Sequence, residues 1–136
     1  MSATSGSPDT ALSAFERAVL DKLLMGDSEV LQELRQQASR ATVRSREKTE
    51  VGFYVSLAID PAAPVSLSGA DFSVSGVAAE MEGLQVPASF VVFIKDGRLD
   101  TLEGFTLGPE TWPVRLGQYR LYFINEPRKL DLPIKR

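Results

Sequence analysis

Apolar residues recur at three- and four-residue spacing in two stretches near the start of the chain. This spacing is typical of helices that bury one face. The buried positions would be Leu12, Phe15, Val19 and Leu23 in a first helix at 10–25, and Val30, Leu31, Leu34 and Ala38 in a second. Gly26 separates the two stretches, as a helix C-terminus prefers. We therefore predict two consecutive helices with a short connection.

Small polar residues indicate where each helix begins. Ser13 is followed three residues later by Glu16, which is the pattern of a capping box. Asp9 and Thr10 are alternative caps for this first helix. Asp27 is the predicted cap of the second helix, because a short carboxylate side chain can accept from the free N–H groups of the first turn.

From residue 41 onward apolar and polar residues alternate with a period of two, which is typical of half-buried strands. The predicted strands lie at 42–48, 51–59, 71–81, 89–95, 98–106 and 119–125. The first two are either consecutive strands or one long strand bent near Gly52. Asp96-Gly97 lies between two strand-like runs and predicts a tight hairpin, because this turn needs positive φ angles.

These elements predict an α+β fold with two N-terminal helices packed on one face of a mainly antiparallel sheet of five to six strands. A length of 136 residues is enough for one domain with its own core. We place this domain at 10–125, between a disordered leader at 1–9 and a basic C-terminal tail at 126–136.

The chain contains no cysteine and no histidine. Cysteine–histidine and serine–histidine–aspartate catalysis are therefore excluded within this chain, as are disulfides and thiolate metal sites. No glycine-rich phosphate-binding motif is present either. The sequence thus favours a protein that is not an enzyme and needs no cofactor.

Charge is unevenly distributed along the chain. The net charge of −3 argues against nucleic-acid binding, which needs a basic surface. Basic residues cluster at 40–48, where Arg44, Arg46 and Lys48 are predicted to share one strand face, and again at 128–136. Between 49 and 94 the chain has acidic residues but no lysine or arginine. This pattern indicates either an ordinary solvated surface or an acidic face for a basic partner or a second copy.

The sequence gives no sign of membrane insertion. The N-terminus lacks the basic and apolar regions of a secretory signal, and no apolar run reaches the length of a transmembrane helix. We therefore expect a cytoplasmic protein that binds neither membrane nor nucleic acid.

Glu103 is the most suggestive polar residue of the hairpin. Counting alternate residues places Leu99, Thr101, Glu103 and Phe105 on one face of the return strand. If that face is the core, burial would raise the pKa of Glu103 unless a cation or backbone donors meet it. The structural alternative is an ion pair of Glu103 with Arg44 or Arg46, or a position at the rim of the sheet.

Glu80 is a second candidate, since Glu80 and Glu82 are predicted to share a strand face with Ala78. Carboxylates that converge across a sheet would suit acid–base chemistry or a hard metal ion.

Two further residues stand out near the hairpin. Gly104, next to Glu103, indicates a bulge or a close neighbour rather than a phosphate cradle. Trp112 is the only tryptophan and lies in a loop between prolines. It is either an exposed aromatic anchor or a plug for the end of the core, and we favour the plug.

Several short phrases resemble those of a family of small bacterial proteins with no established activity. They are LDKLLMGD at 20–27, VGF at 51–53, DGRL at 96–99, LEGFT at 102–106 and WP at 112–113. The resemblance runs from about residue 15 to 122 and implies a bacterial origin, without a role for any residue.

Two functions remain in consideration. The first is a non-catalytic protein-interaction module that binds a protein partner or forms a homodimer; a role as an immunity or accessory protein is one form of it. The second is a small-ligand binder or a carboxylate-dependent enzyme, with a pocket between the helices and the sheet that uses Glu103, Glu80 and a tyrosine.

Overall fold

The computed structural model describes residues 10–65 and 69–133, so the predicted leader and the last three residues of the predicted tail lie outside it. Two helices precede six strands. The elements are α1 (Ala14–Leu23), α2 (Glu29–Ala38), β1 (Thr42–Lys48), β2 (Gly52–Ala58), β3 (Phe72–Met81), β4 (Ala88–Lys95), β5 (Arg98–Thr106) and β6 (Tyr119–Phe123).

The six strands form one antiparallel sheet in the order β1-β2-β5-β4-β3-β6. Helix α1 contacts β3, β4 and β6, and α2 contacts β5. The buried faces of both helices meet the alternate, buried residues of the strands, so the predicted α+β class is confirmed. In the described part of the chain no helix has the length and apolar character needed to cross a membrane.

Both helices begin at serine caps. The Ser13 hydroxyl accepts from the Glu16 N–H at 3.1 Å, and the Glu16 carboxylate accepts from the Ser13 N–H at 2.8 Å. This reciprocal pair confirms the predicted capping box. The second helix is capped by Ser28, whose hydroxyl accepts from the Leu31 N–H at 3.0 Å. The prediction of Asp27 was wrong by one residue, because both residues have a suitable side chain and only the backbone path selects between them.

The β4–β5 hairpin turns at Asp96 and Gly97, as predicted. Their φ angles are 52° and 76°, so both central residues are left-handed, as a two-residue turn of this kind requires. Lys95 and Arg98 face each other directly before and after the turn.

A bulge follows this turn and changes which residues share a face. Ile94 lies opposite Leu99, while Phe93 lies opposite Thr101, so Asp100 is an extra residue in β5. Leu99 is therefore buried in the core at 2% exposure, and Thr101 and Glu103 point away from the helices. The prediction that Leu99 and Glu103 share a face was wrong, because an inserted residue resets the alternation.

The buried side chain of Gln37 links α2 to the hairpin turn through hydrogen bonds. Its amide nitrogen donates to the carbonyl oxygens of Gly97 at 2.9 Å and Pro64 at 3.0 Å. Its amide oxygen accepts from the Leu99 N–H at 2.9 Å. The side chain is 1% exposed, so these bonds satisfy a polar group that water cannot reach.

The chain after β6 is held against the end of α1 by Arg128. Its guanidinium donates to the carbonyl oxygens of Leu23 and Met25 at the C-terminus of the helix and to that of Ser75 on β3. It also lies over the ring of Phe123, 4.5 Å from the ring centre. The described part of the predicted basic tail thus contacts the body of the protein.

Candidate functional site

The sheet has one face that the described helices do not cover. We call it the open face; it consists of Tyr54 and Ser56 on β2, Thr101, Glu103 and Phe105 on β5, Ser89, Val91 and Phe93 on β4, Glu80 on β3, and Arg120 and Tyr122 on β6. Phe93 and Tyr54 are 41% and 38% exposed. Aromatic and aliphatic side chains thus remain in contact with water across the middle of a six-stranded sheet.

Glu103 lies at the centre of the open face, on the third of the six strands. Its direct neighbours are Tyr54 on β2 and Val91 on β4. Tyr54 donates its phenolic hydrogen bond to the Glu103 carboxylate, and this bond, with the nearby charge, raises the pKa of Tyr54. The partner of Glu103 is therefore a neutral phenol.

The two arginines predicted as partners of Glu103 lie elsewhere. Arg46 points to the helix side of β1, where it binds Glu16. Arg44 is the extra residue of a bulge between Val43 and Ser45, so it does not share a face with Arg46 as predicted. Both placements follow from register, which the alternation of the sequence does not show.

Glu80 lies towards the other end of the open face and does not approach Glu103. It forms an exposed ion pair with Arg120 on β6, with an N–O distance of 3.0 Å. Strand β4 separates the strands that carry the two carboxylates. Within residues 10–65 and 69–133 no group of three acidic side chains is placed to hold a metal ion. The convergence of carboxylates that the sequence suggested is thus not present among these residues.

A groove of about 180 Å³ lies on the opposite side of the sheet, between the start of α1, the β1–β2 edge and the loop after β5. We call it the Trp112 groove. Its apolar walls are formed by Phe15, Phe53, Val55, Trp112, Pro113, Val114 and Leu116, and Tyr54 also lines it. This groove is the physical counterpart of the predicted pocket between helices and sheet, although neither Glu103 nor Glu80 lines it.

Trp112 closes one end of the core and presents part of its ring to the groove. It meets the rings of Phe53 and Phe90 edge-on, with centres 5.3 Å and 6.4 Å away. Its backbone N–H donates to the Glu50 carbonyl at 2.9 Å, which fixes the loop against the β1–β2 turn. The plug that we favoured from the sequence describes this position better than a free surface anchor.

An ion pair between Glu16 and Arg46 forms the polar wall of the groove. Arg46 donates through Nε to Oε2 at 2.9 Å and through Nη2 to Oε1 at 2.8 Å. Burial alone would raise the pKa of Glu16, but the hydrogen bonds from Arg46 and Ser13 outweigh burial and lower it. Glu16 is therefore a fixed carboxylate that joins α1 to β1, and it is a poor proton carrier near neutral pH. The sequence offered no signal for this pair beyond the two charges.

The packing around β5 shows why a glycine follows Glu103 in the sequence. On β5 the carboxylate faces outward and the next residue faces the core, where Phe53 and Phe90 lie on either side of it in register. A Cβ atom at Gly104 would clash with Phe53 Cε2 and lie 2.8 Å from Phe90 Cε1. Glycine is thus required because two aromatic rings pack directly against the backbone at this position. This agrees with the close neighbour predicted for Gly104.

No protein-family model, curated protein or solved structure matches this chain.

Proposed function

We propose that this protein is a non-catalytic binding module that docks a protein partner on the open face. The observation that carries the proposal is a sheet face with exposed aromatic residues and no covering layer among the described residues. Apolar groups on an exposed, continuous patch favour association with another surface, because burial removes them from water. Phe93 and Tyr54 are the large side chains that would be most affected.

The charge at the centre of the face selects the kind of partner. Glu103 would lose water on docking, and its neighbour Tyr54 brings no compensating positive charge. A partner that presents an arginine or lysine among apolar side chains would supply that charge. A second copy docked face to face would instead bring another Glu103 towards the same centre, which like-charge repulsion disfavours.

The dimensions of the face indicate a reversible complex. Six strands about 4.8 Å apart and on average about eight residues long give a footprint of roughly 25 Å by 25 Å, or about 600 Å². This area is smaller than the ~800 Å² per partner of standard stable interfaces. The proposal therefore expects a transient complex whose affinity depends on a few central contacts.

The carboxylates of the face support binding better than catalysis. Glu103 meets a phenol and Glu80 meets an exposed arginine, so neither has a second carboxylate to act with. The absence of histidine and cysteine from the chain removes the commonest side chains that could assist them.

Affinity capture with matched variants tests this proposal. The wild-type chain and the variants Phe93→Ser, Glu103→Arg and Met25→Ser are immobilised and exposed to a lysate of the source cells. Met25 is 49% exposed on the α1–α2 connection and controls for the loss of an exposed apolar side chain. Any protein retained by the wild type and by Met25→Ser but lost by the other two is then purified and titrated against each variant.

The proposal expects at least a tenfold loss of affinity for Phe93→Ser and Glu103→Arg in the purified pair, with weaker wild-type binding as salt is raised. Sedimentation of the chain alone at high concentration tests whether two copies associate through the open face. If the chain self-associates and Phe93→Ser abolishes this association, the open face forms a homodimer and the proposal of a different protein partner is wrong. Retention of the same proteins by all four baits would refute a specific docking face.

A further inference from the structure

We propose that the Trp112 groove binds a small uncharged apolar molecule about the size of one six-membered ring. Most of the groove lies on the helix side of the sheet, although Tyr54 of the open face also lines it, and the proposed ligand does not depend on the function proposed above. Its walls come from three distant parts of the chain, namely the start of α1, the β1–β2 edge and the loop that carries Trp112.

The size of the groove limits the ligand. Its volume is about 180 Å³. An apolar cavity of about 150 Å³ in an engineered protein accepts benzene, so one ring or a short branched chain is the expected occupant of the groove. The T-shaped arrangement of Phe53 and Trp112 leaves ring faces and edges that suit a flat apolar group.

The main ion pair of the groove offers no binding partner to an ionic ligand. Glu16 and Arg46 bind each other through two hydrogen bonds, and Arg46 Nη2 also donates to the Ala11 carbonyl at 2.8 Å. Of the two other charged residues that line the groove, Lys48 shares a face of β1 with Arg46, whereas Glu47 belongs to the opposite face. A charged ligand would lose water against mostly apolar walls, so an uncharged one is favoured.

Apolar side chains at the mouth of the groove are left in water. Leu116 is 50% exposed and Val114 is 92% exposed, although both follow Trp112 in a loop anchored to the core. A ligand seated against Trp112 would cover part of Leu116 and remove both apolar surfaces from water. An exposed apolar rim next to apolar walls is the arrangement expected of a site that an apolar ligand completes.

Fluorobenzene is the probe that tests this site, with 4-fluorobenzoate as its charged counterpart. Trp112 is the only tryptophan, so its fluorescence reports the groove, and the ¹⁹F signal of the probe reports binding independently. The proposal expects saturable binding of fluorobenzene with a dissociation constant of about 1 mM or below. Binding of 4-fluorobenzoate should be at least tenfold weaker.

Three variants locate the site. Leu116→Ser should weaken fluorobenzene binding at least threefold, while Met25→Ser, which removes an equally exposed apolar side chain elsewhere, should leave it unchanged. Trp112→Phe should abolish the fluorescence change but retain ¹⁹F-detected binding, since a ring remains in the wall. Circular dichroism establishes that each variant is folded before titration.

Three results would overturn the proposal. The first is a fluorobenzene response that does not saturate up to its solubility limit. The second is equal binding of the neutral and charged probes, or equal loss of binding in Leu116→Ser and Met25→Ser. The third is a Trp112 signal that follows self-association in sedimentation experiments and is lost in Leu116→Ser, because a second copy of the chain would then fill the groove.

Discussion

Replacing Gln37 by leucine should remove the hydrogen bonds that link α2 to the β4–β5 hairpin. Leucine is somewhat larger than glutamine and has no hydrogen-bonding atoms. The change would delete three hydrogen bonds, two donated by the amide nitrogen and one accepted by its oxygen. It would leave the Gly97 carbonyl and the Leu99 N–H without a partner in a buried setting, whereas the Pro64 carbonyl is only partly buried and can bind water.

The magnitude follows from the two buried partners. An unsatisfied buried donor or acceptor costs about 1–3 kcal/mol, so the loss of two partners in Gln37→Leu should lower the free energy of unfolding by about 2–6 kcal/mol. This is a large share of the ~5–15 kcal/mol typical of a whole domain. For a chain of this size we expect a decrease in Tm of roughly 8–15 °C.

Urea unfolding, followed by Trp112 fluorescence and by circular dichroism, measures the loss. Gln36→Leu is the matched control, because Gln36 is the neighbouring residue on α2 and is exposed. This control should change stability by no more than about 0.5 kcal/mol. Hydrogen exchange of the Leu99 amide adds a local readout, since that N–H loses its acceptor only in the Gln37 variant.

Gln37→Glu gives a further check through its pH dependence. The carboxylate keeps an acceptor for Leu99 but faces two carbonyl oxygens in a buried site, so its folded-state pKa should be raised. The destabilisation should then be largest near neutral pH and decrease as the pH falls towards about 4.3, the ordinary value for glutamate. A difference between Gln37→Leu and Gln36→Leu below about 1 kcal/mol would refute the reasoning.

Three other outcomes follow from the structure. The pKa of Glu16 is lowered in the folded state, so the stabilising effect of this carboxylate should be present above about pH 4.5 and be lost as the pH falls below that value. Glu16→Gln should flatten this part of the stability–pH curve in urea titrations between pH 2 and 7. Gly104→Ala should lower the free energy of unfolding by about 1–3 kcal/mol and alter Trp112 fluorescence, because the new methyl group displaces Phe53; an unchanged urea midpoint would contradict the close approach. The pKa of Tyr54 is raised by its hydrogen bond to Glu103, so Glu103→Gln should let this phenol ionise at a lower pH in ultraviolet titrations. The chain has three tyrosines, and Tyr54→Phe should show which of their transitions belongs to Tyr54.

Features that depend on neighbours in the chain could be predicted from the sequence. The Ser13 capping box needs only four consecutive residues, and the Asp96-Gly97 turn needs only the φ angles that those two residues tolerate. The apolar stripes of both helices predicted their buried faces for the same reason, since helix geometry places residues three and four apart on one side.

Details of register lay beyond such local patterns. The extra residues at Asp100 in β5 and Arg44 in β1 reset the alternation of side chains. No residue type marks these bulges, because they arise from the match between a strand and its partner. For this reason Leu99 was placed on the wrong face and Arg44 was grouped with Arg46.

The candidate sites show the same division most clearly. Alternation within one strand is enough to place Glu103 and Gly104 on opposite faces, and the composition shows that no histidine or cysteine accompanies them. The pairing of Glu103 with Tyr54 on an uncovered face, and of Arg46 with Glu16 beside Trp112, depends on the folded arrangement of the strands. Each of these pairs joins residues that are far apart in the chain. Many similar side chains could form such pairs, and strand order and packing determine which ones meet, so a local sequence pattern cannot predict them.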